Sequence, residues 1–125
     1  MSDADLRQVV RSLVKFLYAP LGQAVLAVTL SDARHLPGIA DARRRFFQDR
    51  YRQAEPVIGR AIARGELPVG TDPAELVRAL LAPISLRVLV TAEPVSDVTA
   101  DVAAAAALAA ARAGAFSLPP TETQL

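Results

Sequence analysis

A run of small apolar residues near the C-terminus constrains the fold more than any other feature of this sequence. Between Val102 and Arg112 every residue except Leu108 is alanine. Alanine has the highest helix propensity of all residues and is depleted in strands. Isoleucine and the aromatic residues, which favour strands, are few elsewhere in the chain. The sequence therefore predicts an all-α fold.

Proline, glycine and helix-capping residues divide the 125-residue chain into about five helical segments. The first begins at Ser2 and is amphipathic, with an apolar residue at every third or fourth position up to Leu17. The second, Leu21 to Arg34, is apolar nearly all round, and we expect it to be buried in the centre of a bundle. Each of the others follows a breaker or a capping residue, and they cover residues 39–64, 72–92 and 96–113. The predicted architecture is a single helical bundle.

Composition and charge exclude several classes of protein. The chain has no Cys and a single His, which leaves no disulfide, no thiolate metal site and no pair of catalytic imidazoles. The net charge of +1 gives no general attraction to nucleic acid or to an anionic membrane. No apolar stretch approaches the roughly 20 residues that span a bilayer, and the N-terminus is acidic where a signal peptide would be basic. We expect a cytoplasmic protein with no metal, no cofactor and no membrane partner.

Two further patterns could carry chemistry, but simpler structural roles explain both. His35 lies beside the breaker Pro37-Gly38, where a lone histidine is more often a surface group at a helix end than a general base. The run Arg43 to Arg45, with Arg50 and Arg52 downstream, could contact DNA. Acidic residues are interspersed with these arginines, which favours a solvated and salt-bridged helix face. We therefore expect no enzymatic activity.

The aromatic residues raise the question of a ligand site. Five of the six lie on the first and third predicted helices. Gln23, Thr29, Gln48 and Ser85 are polar groups that could face the same interior. A cavity between bundle helices, lined by apolar and aromatic side chains with a few polar groups, is a common small-molecule site. The residues alone leave open whether such a cavity exists or whether the rings fill the core.

The alanine-rich last helix also has two interpretations. Its small side chains allow another helix to approach closely. That helix could belong to the same chain, or to a second subunit across a symmetric interface. The shortage of large apolar residues here, beside a leucine-rich helix, makes the second interpretation at least as good as the first.

The order of four segments resembles that of a known family. The segments are FFQDRYRQAEPVIGRAIARGEL at 46–67, GTDP at 70–73, AP at 82–83 and RVLVTAEP at 87–94. In this order and spacing they resemble the C-terminal regulatory domain of tetracycline-repressor-type (TetR/AcrR) transcriptional regulators. The resemblance covers the chain from about residue 4 to residue 116.

The resemblance implies an all-α domain that binds a small, often apolar effector and forms a homodimer. Such a domain would span residues 1–116, followed by a flexible tail at 117–125. In such proteins the last two long helices pack against the same pair in a second subunit, and the preceding helices surround the effector pocket. The family's N-terminal helix-turn-helix is not found in this sequence, so we expect DNA contact only through such a head.

Helical faces give the candidate site residues. The candidate effector-binding residues share the inward faces of the first four helices: Leu13, Phe16, Leu17, Leu26, Phe47, Tyr51, Ile58, Leu81 and Ser85. The candidate dimer-interface residues lie on the last two helices: Leu76, Leu80, Ile84, Arg87, Val98, Val102, Ala105, Ala106 and Ala109. The alternative function is a helical dimerisation or interaction module with a filled core and no ligand.

Overall fold

Five α-helices make up the part of the chain that the structure describes. The structure is a computed structural model, and it describes residues 3–118, except for the side chains of residues 3, 4, 6, 9, 10 and 13. In chain order the helices are α1 (Asp3–Tyr18), α2 (Pro20–Leu30), α3 (Ile39–Ala63), α4 (Pro73–Leu86) and α5 (Asp97–Arg112). A short 3-10 helix (Asp32–His35) follows α2, and a π-helical turn (Arg87–Thr91) continues α4. The all-α prediction is confirmed.

Capping residues fix where α4 and α5 begin. The Asp72 carboxylate accepts a hydrogen bond from the Ala74 backbone N–H at 3.1 Å, and Pro73 occupies the first helical position. At α5, the Ser96 hydroxyl accepts from the Thr99 N–H at 3.4 Å, and the Thr99 hydroxyl accepts from the Ser96 N–H at 3.3 Å. These bonds satisfy backbone donors that have no partner inside the helix. The predicted starts of both helices are confirmed, whereas the cap predicted at Ser2 lies outside the described residues.

The second helix differs from the prediction in both length and burial. It ends at Leu30 because the Ser31 hydroxyl accepts from the Ala33 N–H at 3.2 Å and starts the separate 3-10 helix. Of the residues in α2, Gly22 alone is buried, whereas Leu21 is 55% exposed and Leu30 is 60% exposed. The expectation that this segment occupies the centre of the bundle is wrong. Because α2 has apolar residues on all sides, its sequence does not show which face packs against the other helices. In the structure, α2 folds back along the end of α1 at the edge of the molecule.

The core lies where α1, α4 and the alanine-rich α5 meet. Leu76, Leu80 and Ile84 of α4 are at most 1% exposed, and they pack against the inner face of α5. Because alanine projects only a methyl group, α5 can lie close to both neighbours. The buried residues of α5 are Ala100, Ala103, Ala104, Ala107, Leu108 and Ala111.

The chain returns to the start of α4 after α5 ends. The Asp72 N–H donates to the Phe116 carbonyl at 2.9 Å, and the Leu118 N–H donates to the Gly70 carbonyl at 3.3 Å. Thr71 and Ser117 form an isolated antiparallel bridge between these bonds. Ser117 and Leu118 therefore belong to the packed structure, contrary to the expectation of a tail from residue 117, and residues 119–125 lie outside the described part.

None of the helices described between residues 3 and 118 combines the length and the apolar character needed to cross a membrane.

Candidate ligand-binding cavity

A cavity of about 750 Å³ lies between α1, α2, α3 and α4. Its floor is apolar and formed by buried side chains from three helices, which are Leu17, Ile58, Leu76, Val77 and Leu80. Exposed polar side chains, Gln8, Ser12 and Gln48 among them, line its opposite side. The cavity is therefore closed by the core on one side and reaches the surface on the other. Its volume falls within the range typical of small-molecule sites.

Aromatic rings form one wall of this cavity. The ring centroids of Phe16 and Phe46 lie 5.7 Å apart in a stacked arrangement, and Phe47 meets Phe46 edge-on at 5.2 Å. Tyr51 continues the wall one helical turn further along α3. All four side chains are half-buried and border the open volume. The rings pack on one another along the wall and leave the space beside them empty.

Hydroxyl and amide groups are spread through the cavity lining. The Thr29 hydroxyl donates to the Val25 carbonyl at 2.8 Å, so this hydroxyl's own proton is already used. Among the described residues, the side chains of Ser85 and Gln48 make no hydrogen bond, and both keep free donors and acceptors. Three of the four polar residues singled out from the sequence thus face this cavity. The fourth, Gln23, lines a second cavity of about 580 Å³ between α2 and the π-helical turn.

The charged residues in the described cavity lining are all arginines. The Arg50 guanidinium carbon lies 4.7 Å from the centroid of the Phe16 ring and 5.0 Å from that of Phe46. The Arg78 guanidinium carbon lies 5.0 Å from the Tyr51 centroid. The buried Nε atom of Arg43 has no hydrogen-bond partner among the described residues. No described residue of the lining is acidic.

The structure brings eight of the nine candidate effector-binding residues to the same cavity. These are Phe16, Leu17, Leu26, Phe47, Tyr51, Ile58, Leu81 and Ser85. The side chain of the ninth, Leu13, lies outside the described residues. Their role in binding an effector stays a prediction.

Sequence reasoning missed the arginines of the lining. The sequence pattern predicts a solvated face for Arg43 and Arg50, as for the rest of the basic run, yet both line the cavity. Arg45 and Arg52 are exposed and lie outside it. The spacing of Arg43 and Arg50 could have indicated this position. They are seven residues apart, and residues at that interval lie on the same face of a helix.

The candidate dimer-interface residues divide into three groups. The prediction is wrong for Leu76, Leu80 and Ile84. These side chains are buried in the chain's own core, where a partner subunit could not reach them. Arg87 is half-buried, and its guanidinium donates to the Pro83 carbonyl at 3.2 Å. The remaining five are exposed on the outer face of α5, and they are Val98, Val102, Ala105, Ala106 and Ala109.

A comparison with known protein families identifies this architecture. The sequence model described as "Tetracyclin repressor-like, C-terminal domain" matches residues 2–113. The chain belongs to this family. The match covers all five helices and every residue of the cavity lining. It therefore supports the resemblance found in the sequence.

Membership of the tetracyclin repressor-like family gives the domain a general role. Domains of this family are regulatory, and they generally dimerise and bind small-molecule effectors. His35, weighed above as a catalytic base, is exposed and lies outside the lining of both cavities. No curated protein matches this tetracyclin repressor-like domain by sequence.

Proposed function

We propose that this chain is the effector-binding and dimerisation domain of a TetR-type transcriptional regulator and that the cavity holds a small, largely apolar effector. The observation that carries the proposal is the 750 Å³ cavity, with its buried apolar floor, in a domain of this family. A core-filling role for the aromatic residues would leave no such volume. The cavity therefore argues against the alternative of an interaction module with a filled core.

Helix α4 connects the cavity to α5. Leu81 and Ser85 line the cavity, while Ile84 of the same helix is fully buried in the core that α4 forms with α5. An effector that contacts Leu81 and Ser85 would favour one position of α4 over another. By differential affinity for the two positions, it would shift the population of α4–α5 arrangements. A regulator of this type would relay that shift to its DNA-binding heads.

The outer face of α5 is the proposed homodimer surface. Val98 is 71% exposed and Val102 is 62% exposed, which is unusual for valine side chains in a helix of a folded domain. Ala105 and Ala109 follow at the spacing of one helix face and are also exposed. This stripe is apolar, and its small side chains would let the equivalent helix of a second subunit approach closely.

Titration with the neutral fluorescent dye N-phenyl-naphthylamine tests the cavity. We expect saturable binding of one dye per chain, because the buried floor would shield it from water. Ala54→Phe, on the lining, should weaken binding by about tenfold or more, since the new ring takes up part of the volume. The matched variant Ala63→Phe, on an exposed part of α3 outside the cavity, should bind as the parent does. Absence of saturable binding, or equal binding by both variants, would reject the proposal.

Sedimentation velocity tests the dimer surface. The parent chain should sediment as a dimer, and Val102→Glu should sediment as a monomer, because the interface would bury an unpaired charge. Val69→Glu is the matched control, since Val69 is 87% exposed in the loop before α4. A dimeric Val102→Glu variant would place the interface elsewhere on the domain.

A further inference from the structure

The charged side chains that line the cavity, among the described residues, are all positive. Four arginines belong to its lining, and none of the described lining residues is acidic. Two of these arginines are neutralised by carboxylates on their own helices. Arg44 forms an ion pair with Asp41, and Arg78 forms one with Glu75 at 2.6 Å.

The other two arginines, Arg43 and Arg50, have no carboxylate partner among the described residues. They lie seven residues apart on α3, about 10 Å along the helix axis, and on the same face. Both are half-buried. The cavity therefore has two positive charges that no carboxylate in the described part of the chain neutralises.

Arg43 and Arg50 differ in what already contacts them. The Arg50 guanidinium lies over the rings of Phe16 and Phe46, and these contacts stabilise its charge and hold it against the aromatic wall. The Nε atom of Arg43 is buried and has no hydrogen-bond partner in the described structure. A buried donor without a partner is destabilising, and such groups are rare in folded proteins unless something else satisfies them.

We propose that the effector is an amphipathic anion, with an apolar body on the buried floor and an acidic group that pairs with Arg43. This inference rests on the proposed effector-binding function and assigns a chemical class to the ligand. A carboxylate has two acceptor oxygens, and a guanidinium can donate one N–H hydrogen bond to each of them in a bidentate pair. Arg50 adds to the positive potential at the same wall. A neutral ligand would leave the Arg43 donor less well satisfied, and a cationic ligand would be repelled by both arginines.

Matched ligand series test the charge of the effector by isothermal titration calorimetry. One series is decanoate, decanol and decylammonium, and the other is naphthoate, naphthylmethanol and naphthylmethylammonium. In at least one series the carboxylate should bind about tenfold more tightly than the alcohol, and the ammonium should bind most weakly. Added salt should weaken carboxylate binding and leave alcohol binding nearly unchanged.

The possible failures of this experiment are distinguishable. Alcohols that bind as tightly as their carboxylates would overturn the inference about charge and leave the effector-binding function standing. Absence of binding by every member of both series, together with absence of dye binding, would overturn both proposals.

Substitutions on α3 test which arginine pairs with the acidic group. Arg43→Gln should reduce carboxylate affinity by about tenfold and leave alcohol affinity unchanged, whereas Arg43→Lys should recover part of the loss. Arg50→Gln should have a smaller effect, about threefold, because Arg50 acts at longer range. The exposed Arg45 provides the matched control, Arg45→Gln, which should bind as the parent does. Equal losses of carboxylate and alcohol binding in Arg43→Gln, with an unchanged melting temperature, would contradict the pairing.

Discussion

The two sides of α4 illustrate opposite ways of packing helices. On one side, α4 meets an α5 whose buried face is nearly all alanine, and Ala104 and Leu108 there are each only 2% exposed. On the other side, α4 faces the large aromatic residues of α1 and α3, yet about 750 Å³ stays open. Small side chains let helix backbones come close and leave no gap, whereas large rings that stack on one another hold the helices apart. Larger side chains therefore do not by themselves make a region more fully packed.

Truncating one leucine on each side of α4 should give the largest contrast in stability. Leu108→Ala removes a fully buried side chain from the packed side and should lower the free energy of unfolding by about 2–5 kcal/mol. Leu81→Ala, on the half-buried cavity lining, should lower it by only about 1 kcal/mol, because much of its surroundings is already open. Urea denaturation measures both. Equal losses would mean that the two sides are packed alike.

Enlarging one alanine on each side should give the next largest effect. Ala104→Leu forces three extra carbons into a filled region and should destabilise the domain by about 1–3 kcal/mol. Ala54→Leu adds the same carbons beside the cavity and should change stability by less than about 0.5 kcal/mol. Thermal unfolding of both variants tests this. A strongly destabilised Ala54→Leu variant would show that the cavity wall has no freedom to accept a larger side chain.

Removing an ion pair at the edge of the packed side should have the smallest effect. Arg11 of α1 contacts both carboxylate oxygens of Asp101 on α5, at 3.1 and 3.2 Å, and both side chains are more than a third exposed. Asp101→Asn should therefore cost less than about 1 kcal/mol, and the cost should shrink further at high salt. Asp41→Asn, which removes the Arg44 partner beside the cavity, is the comparison variant. A larger loss in Asp101→Asn would mean that charge, rather than close packing, holds α1 to α5.

Local rules predicted where α4 and α5 begin. The caps at Asp72 and Ser96 depend on residues within three positions of the helix start, so the sequence displays them directly. Most of the cavity-lining candidates could also be selected, because the apolar faces of α1 and α3 point inward at a regular spacing. These parts of the structure need no knowledge of which helix lies opposite.

The burial of each helix depends on which other helix covers its apolar face, and a single sequence does not contain that information. The apolar residues of α2 and α4 look alike in the sequence, yet Leu30 is largely exposed and Ile84 is fully buried. Leu76, Leu80 and Ile84 were placed in a dimer interface because an apolar stripe looks the same whether it is covered by α5 or by a second subunit. The position of Arg43 is ambiguous for a similar reason. A charged residue at the edge of an apolar helix face can point to solvent or into a cavity, and the sequence alone does not distinguish the two.

The π-helical turn at Arg87–Thr91 sets the position of Leu89, the residue that completes the cavity wall beyond α4. In an uninterrupted α-helix, Leu89 would lie about 40° around the axis from Ser85, one turn earlier. A wider turn rotates the chain less per residue. The π-helical turn therefore brings Leu89 closer to the direction in which Ser85 points, and both residues line the cavity. The winding of this last turn therefore affects the cavity wall, because a change in winding would rotate Leu89 relative to Ser85.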